Sequence, residues 1–207
     1  MKKFELTSEF ATFLGKKLFR IKALISFGNV KEGELGGYVE KEENLSNDGD
    51  AWVYGDARVS GDAWVSGDAR VSGDAWVYGN ARVYGNARVC GNARVCGDAW
   101  VSGDARVCGN ARVCGDAWVY GDAWVYGNAR VYGNADYATV QGFGSEYRTT
   151  TFFRTKAGDI GVRCGCFYGT LEEFRVKVKE MHGETKTAKE YLMVADLMEF
   201  RFSKEEA

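Results

Sequence analysis

Proline is absent from the 207 residues, and histidine occurs once. Without proline, sharp reversals of the chain fall to glycine, aspartate and asparagine, which tolerate turn geometry. A single histidine leaves no histidine cluster for a metal site and at most one imidazole for general acid–base work. Residues 1–20 contain no apolar run of secretory or membrane-spanning length, because Lys16, Lys17 and Arg20 interrupt them. The expectation is a cytoplasmic protein with no membrane association. A net charge of −2 excludes a generally basic nucleic-acid binder, although it leaves room for a local basic stripe. In a cytosolic chain the six cysteines are expected as free thiols and not as a disulfide framework.

What the chain has in quantity is glycine, 27 residues of it, and much of that glycine belongs to one repeated phrase. From Gly49 to Tyr132 a hexapeptide recurs fourteen times without a break, and Gly133–Ala138 is a degraded fifteenth unit. Its letters are Gly, Asp or Asn, Ala, Trp or Arg, Val, and then Tyr, Ser or Cys. Alanine and valine sit two apart, so in an extended chain they point to one side, and the fourth and sixth letters point to the other. Gly-Asp and Gly-Asn are turn chemistry, since both residues accept the left-handed backbone that a corner requires. Each unit is therefore one short strand and one corner. A unit so small cannot bury its own Ala/Val face, so successive units must coil around a shared interior.

These units resemble the hexapeptide-repeat family, which implies a left-handed parallel β-helix with three units per triangular coil. The family places glycine directly after the aliphatic letter, and here it comes one place later, as in Val-Tyr-Gly-Asp-Ala. The corner is accordingly expected to differ in detail. About five coils spaced by roughly 4.8 Å make a prism roughly 24 Å long. The expected layout is an N-terminal β cap over 1–48, the repeat over 49–138, a linker over 139–147 and a small α+β domain over 148–203.

In the cap, residues 17–26 alternate as a strand, with Phe19, Ile21, Ala23 and Ile25 on one side. In the tail, 148–169 is expected to be a hairpin turning near Gly158-Asp159. Thr170 and Glu173 form a capping box for a helix that Gly183 stops. A second helix is expected over 187–200, burying Tyr191, Leu192, Ala195, Leu197 and Met198. The lead "GELGGYVEKEENLS" and the tail "CGCFYGTLEEF" are similar to those of hexapeptide proteins encoded by bacteriophages and prophages.

Residues eighteen apart share a face in neighbouring coils. With each corner acid assigned to the strand it precedes, the first face carries three arginines and four aspartates, net −1. The second carries four arginines and two aspartates, net +2, and the third one arginine and four aspartates (Asp62, Asp98, Asp116 and Asp136), net −3. One reading is that Trp and Arg simply cover the sheets and stack on one another. The other is that Arg94, Arg112 and Arg130 form an anion-contacting ladder, with Trp100 and Trp118 as a second contact patch.

Acyltransferase chemistry, which the family resemblance brings into view, needs a general base within reach of the acceptor. His182 lies outside the array, and no loop insertion interrupts the repeat to build a coenzyme site. No catalytic residue, metal or cofactor is assigned. Cys164-x-Cys166 with His182 lacks the four ligands of a zinc site, and the cysteines are expected as small buried hydrophobes on a hairpin. The expected function is a non-catalytic, phage-associated β-solenoid. Its outer faces would bind a host or phage protein, such as a defence or nucleic-acid-processing protein that it inhibits, and nucleic acid itself is not favoured as a partner. The alternatives are an acyltransferase-like trimer and a structural spacer or oligomerisation module, with a homodimer or homotrimer compatible with each.

Overall fold

The computed structural model of the chain describes residues 2–144 and 146–203. Among them the chain opens with an antiparallel hairpin, β1 (Phe4–Phe13) and β2 (Lys16–Ala23), followed by β3 (Leu35–Val39). Fourteen two-residue strands follow, β4–β17, each made of the fourth and fifth letters of one unit, from Trp52–Val53 to Arg130–Val131. Each of β4–β14 pairs in parallel with the strand eighteen residues on, as Arg88 does with Arg106 and Val89 with Val107. The result is a β-solenoid of about five coils with three parallel sheets along its length. The second-face sheet continues upward through β3, β2 and β1.

Every repeat alanine and valine from Ala51 to Val131 is at most 1 % exposed, so the inward letters are the ones the alternation indicates. The corner chemistry is narrower than expected. The glycines from Gly49 to Gly127 have φ between 60° and 74°, whereas none of the repeat's Asp or Asn residues is left-handed. Glycine is also demanded by the stacking: at Gly91 a Cβ would stand 3.2 Å from the amide nitrogen of Gly109 in the next coil. The Asp and Asn side chains instead join coils, as where Asn80 Nδ2 donates to Asp98 Oδ1 at 2.8 Å and Asn92 Nδ2 to Asn110 Oδ1 at 3.3 Å.

The ends are explained by hydrogen-bond accounting. In each coil the carbonyls of the third and fifth letters accept from the preceding coil, as in Trp52 N–H to Ala69 O and Tyr54 N–H to Val71 O, and at several corners the first-letter carbonyl does so too, as in Asp68 N–H to Gly85 O. In the first coil those carbonyls need donors from outside the repeat, because a buried orphan is costly. Lys3 Nζ supplies Gly49 O and Ala51 O, Asn44 Nδ2 supplies Gly61 O and Ala63 O, and the Tyr38 and Glu40 amides supply Ala57 O and Val59 O. At the other end the last amides need acceptors. Trp118 N–H donates to Asn134 Oδ1, Trp124 N–H to Thr151 Oγ1, and Tyr132 N–H to Asp136 Oδ2.

Asp136, expected on the outer third face, therefore closes the array's lower edge, within a 3-10 turn at Asn134–Asp136. The C-terminal sheet begins immediately after it with β18 (Tyr137–Val140), which runs through Thr139 and Val140 of the expected linker. It continues with β19 (Thr150–Arg154), β20 (Ile160–Cys164) and β21 (Phe167–Thr170), all antiparallel. Adjacent side chains of β19 point opposite ways: Phe153 plugs the solenoid core, and Phe152 joins a second core under the helices.

Helix α1 (Leu171–His182) starts at the Thr170–Glu173 capping box and ends at Gly183, with φ 56°. Helix α2 (Lys186–Phe202) buries Tyr191, Ala195 and Met198. Leu197, expected on that buried side, is 56 % exposed. It follows Asp196, which turns outward to pair with Arg175, and the helix rotation that buries Ala195 and Met198 leaves Leu197 facing solvent.

The thiol expectation is overturned for four of the six cysteines. Cys90 is disulfide-bonded to Cys108 and Cys96 to Cys114, with Cα atoms 4.6 and 4.5 Å apart. The physical reason is the coil period. Sixth letters eighteen residues apart lie directly over one another, at a separation within the disulfide range. Cys164 and Cys166 are free.

Lys3 gives the cap a pH signature. Its side chain is 1 % exposed, and burial pushes its pKa from 10.5 down to about 8, against the opposing pull of Asp50, Asp48 and Asp68. The folded chain thus releases this proton before the unfolded chain does. Between about pH 8 and 10.5 the unfolded state holds more protons, so Lys3 makes stability rise with pH across that window. In denaturant titrations, the gap between wild type and Lys3→Met should change in that sense. Parallel curves throughout the window would mean that Lys3 titrates as an exposed amine.

Candidate functional site

On the second face the backbone brings Arg94, Arg112 and Arg130 onto consecutive rungs. Their side chains differ in use. Arg94 is exposed and lies 5.9 Å from the ring of Trp76. Arg112 is half-buried. Arg130 is half-buried too, and its Nη1 donates to the carbonyls of Asn110 at 3.0 Å and Ala129 at 2.8 Å. Above them the tip of the β1–β2 hairpin folds onto the face, with Phe13 edge-on to Trp76 at 4.6 Å and 4.9 Å from the Arg58 guanidinium. The basic face is thus covered at its upper end, exposed at Arg94, and met at its lower end by the turn after β19, where Thr155 bridges to Ala129 and the Lys156 amide donates to Asn128 O. Among the described residues none of the array's arginines lies in an ion pair.

The third face holds an aromatic stack. The rings of Trp100 and Trp118 are parallel within 5° at 4.8 Å between centroids, and the Arg82 guanidinium lies 5.2 Å from the Trp100 ring. Trp118 is 49 % exposed. Below it is a cavity of about 540 Å³ lined by Trp118, Tyr120, Tyr137, Met198 and Arg201, among others. The acidity expected of this face is largely engaged within the fold. Asp62 pairs with Lys41 at 2.6 Å, which holds its carboxyl below the usual range. Asp98 accepts from Asn80, and Asp136 caps the array's edge.

The first face departs most from expectation. Trp52, a fourth letter expected outside, is completely buried beneath the cap, against Phe4 and Phe27. At the other end Arg163 of the C-terminal sheet lies 4.1 Å over the ring of Trp124. Between these covered ends stand Arg70, Arg88 and Arg106, in register. Sequence reasoning passed over this ladder because the net charge of the face pools it with the corner aspartates. The available signal was the eighteen-residue spacing of Arg70, Arg88 and Arg106 itself, the same spacing that aligns Arg94 with Arg112.

His182 lies in the C-terminal domain, its ring 5.7 Å from that of Tyr191. With Cys164, Cys166 and Tyr191 it lines a cavity of about 300 Å³. Burial, and then the neighbouring Cys164, push the Tyr191 hydroxyl up to about 12. Among the described residues no three His, Cys, Asp or Glu side chains are placed to hold a metal ion, and no helix is long and apolar enough to cross a membrane.

The family model described as YdcK Beta solenoid repeat matches the chain in six segments, residues 51–67, 63–79, 75–89, 87–103, 105–121 and 123–135. No curated protein matches the chain significantly. Sequence repeat and coordinates agree that this is a β-solenoid repeat protein.

Proposed function

We propose that the solenoid is a non-catalytic binding protein whose outer faces dock a macromolecular partner, with the second face meeting an acidic protein surface. The observation that supports this is the ladder of Arg94, Arg112 and Arg130, aligned rung over rung and without a carboxylate partner. Like charges stacked this closely repel one another, and the apolar interior is complete without them. A partner's acids would relieve that repulsion, and complementary charge would speed and orient the encounter. The exposed Trp118 over Trp100 offers an aromatic anchor on another face. In the setting implied by the resemblance of the chain's ends to phage-encoded proteins, the partner is a host defence or nucleic-acid-processing protein, inhibited by occlusion.

Changing Arg94, Arg112 and Arg130 together to Glu turns the second face from net +2 to about −4 without touching an inward letter. Once the partner is identified by pull-down from host or infected lysate, its binding should fall steeply, while melting is lowered only by the loss of the Arg130 bonds to the Asn110 and Ala129 carbonyls. Added salt should weaken the wild-type complex, because exposed charges are screened beyond about 8 Å at physiological ionic strength. Trp100→Ala with Trp118→Ala is the matched comparison. If the Trp changes abolish binding and the Arg reversal does not, the third face is the working surface. If neither matters, the array is a spacer.

A further inference from the structure

The first-face ladder stands in a more enclosed setting than the one just considered. Arg70, Arg88 and Arg106 form one wall of a groove of about 510 Å³. The facing wall is the sixth-letter column of Tyr54, Ser72, the bonded pair Cys90–Cys108, and Tyr126, and Trp124 stands at the lower end. This lining contains three guanidinium groups and no carboxylate. The corner acids Asp50, Asp68 and Asp104 lie in a separate recess of about 370 Å³ bordered by the same arginines. The ladder therefore parts an acidic side from an acid-free one. At the closed end, Trp124 Nε1 and Arg163 Nε are buried with no hydrogen-bond acceptor among the described residues, and the Arg163 guanidinium lies 5.3 Å from the Tyr126 ring.

Three forked donors on consecutive rungs require dense negative charge over a short length. The rungs repeat at roughly 4.8 Å, which puts the outer two roughly 10 Å apart at the backbone. Acidic side chains on one side of an extended peptide repeat at roughly 6.8 Å and fall out of step with such a ladder. A chain of phosphates is denser, and long arginine side chains can converge on it with the bidentate geometry that guanidinium and phosphate share. Trp124 is already stacked by Arg163 and Arg106, which leaves the half-buried rings of Tyr54 and Tyr126 as those on which a nucleobase can stack.

We propose that this groove binds a small ligand carrying a chain of two or three phosphates, held by Arg70, Arg88 and Arg106. Inorganic tripolyphosphate and ATP are the probes, titrated calorimetrically into wild type, Arg88→Glu, Arg88→Gln and Arg94→Glu. At least one probe should bind wild type. Arg88→Glu should weaken it on the order of 100-fold and Arg88→Gln less, in keeping with the two charge-assisted bonds a single guanidinium can make. Arg94→Glu, on the second face, should leave the affinity unchanged. Equal affinity for the two probes identifies the bare phosphate chain as what is bound. Tighter binding of ATP that Tyr126→Ala brings down to the tripolyphosphate level identifies a nucleotide. Because Arg88 is exposed, its variants should melt as wild type does. Binding of neither probe, or equal losses in Arg88→Glu and Arg94→Glu, overturns the proposal. The partner-binding test turns on Arg94, Arg112 and Arg130, so the two readings fail separately.

Discussion

Val95→Asp is expected to leave a chain without a folded array, seen as loss of the sheet signal in circular dichroism and of a cooperative melt. Val95 is fully buried and is paired between Val77 and Val113 in an interior lined by the Ala and Val letters. A carboxylate there has neither a partner nor room for water, and an uncompensated charge in such a place costs several kcal/mol. That is comparable with the whole stability of an ordinary domain, about 5–15 kcal/mol. The position aggravates the loss, because coils contact only their neighbours and a defect in a middle coil removes two interfaces. The adjacent Arg94 is exposed, and Arg94→Ser should change stability by no more than about 0.5 kcal/mol. Equal costs for the two changes would mean that the inward and outward letters are assigned wrongly.

The second large effect is expected at Trp52, where Ala should cost about 3–5 kcal/mol, the range for emptying a buried aromatic site. Trp52 has no exposed surface. Phe27 and Phe4 meet it edge-on at 5.4 and 6.3 Å, and the chain passes so close at Gly36 that a Cβ there would stand 2.8 Å from the indole. Trp64 holds the same letter in the repeat but is 41 % exposed, and Trp64→Ala should cost about 1 kcal/mol or less. Denaturant midpoints of the two variants make the comparison. If they match, the cap does not pack on Trp52.

That pair shows what the sequence discloses and what it withholds. Within the repeat, inside and outside follow from a period of two along the strand and eighteen between coils, so Ala and Val could be placed without coordinates. Trp52 obeys the same letter rule and is nevertheless buried, because what covers it comes from residues 4–36, which carry no repeat. The strand β1 escaped notice for a related reason: most of it is half-exposed or exposed, so its apolar letters keep no clear period. Helix α1 was legible at both ends because a capping box and a glycine are local signals. Cys90 and Cys108, like Cys96 and Cys114, have the eighteen-residue spacing of neighbouring coils, but spacing alone does not say whether neighbours are bonded. Of the candidate site residues, the alignment of Arg94 with Arg112 and of Trp100 with Trp118 could be read from spacing. The inward fold of the Arg130 side chain onto carbonyls could not. Asp136 looked like a degraded fourth letter because its work as an edge acceptor depends on where the array stops.

The two sets of edge caps also govern how such a molecule can change length. The interior letters are the same in every coil, so three inserted units would move the C-terminal domain along the axis by roughly 4.8 Å and leave its heading unchanged. One inserted unit would instead swing that domain, together with the last coil it caps through Thr151 and Arg163, by a third of a turn about the axis relative to the N-terminal cap. Insertions and deletions in this array are therefore sorted by arithmetic: multiples of eighteen residues adjust the distance between the two ends, and any other number breaks their alignment.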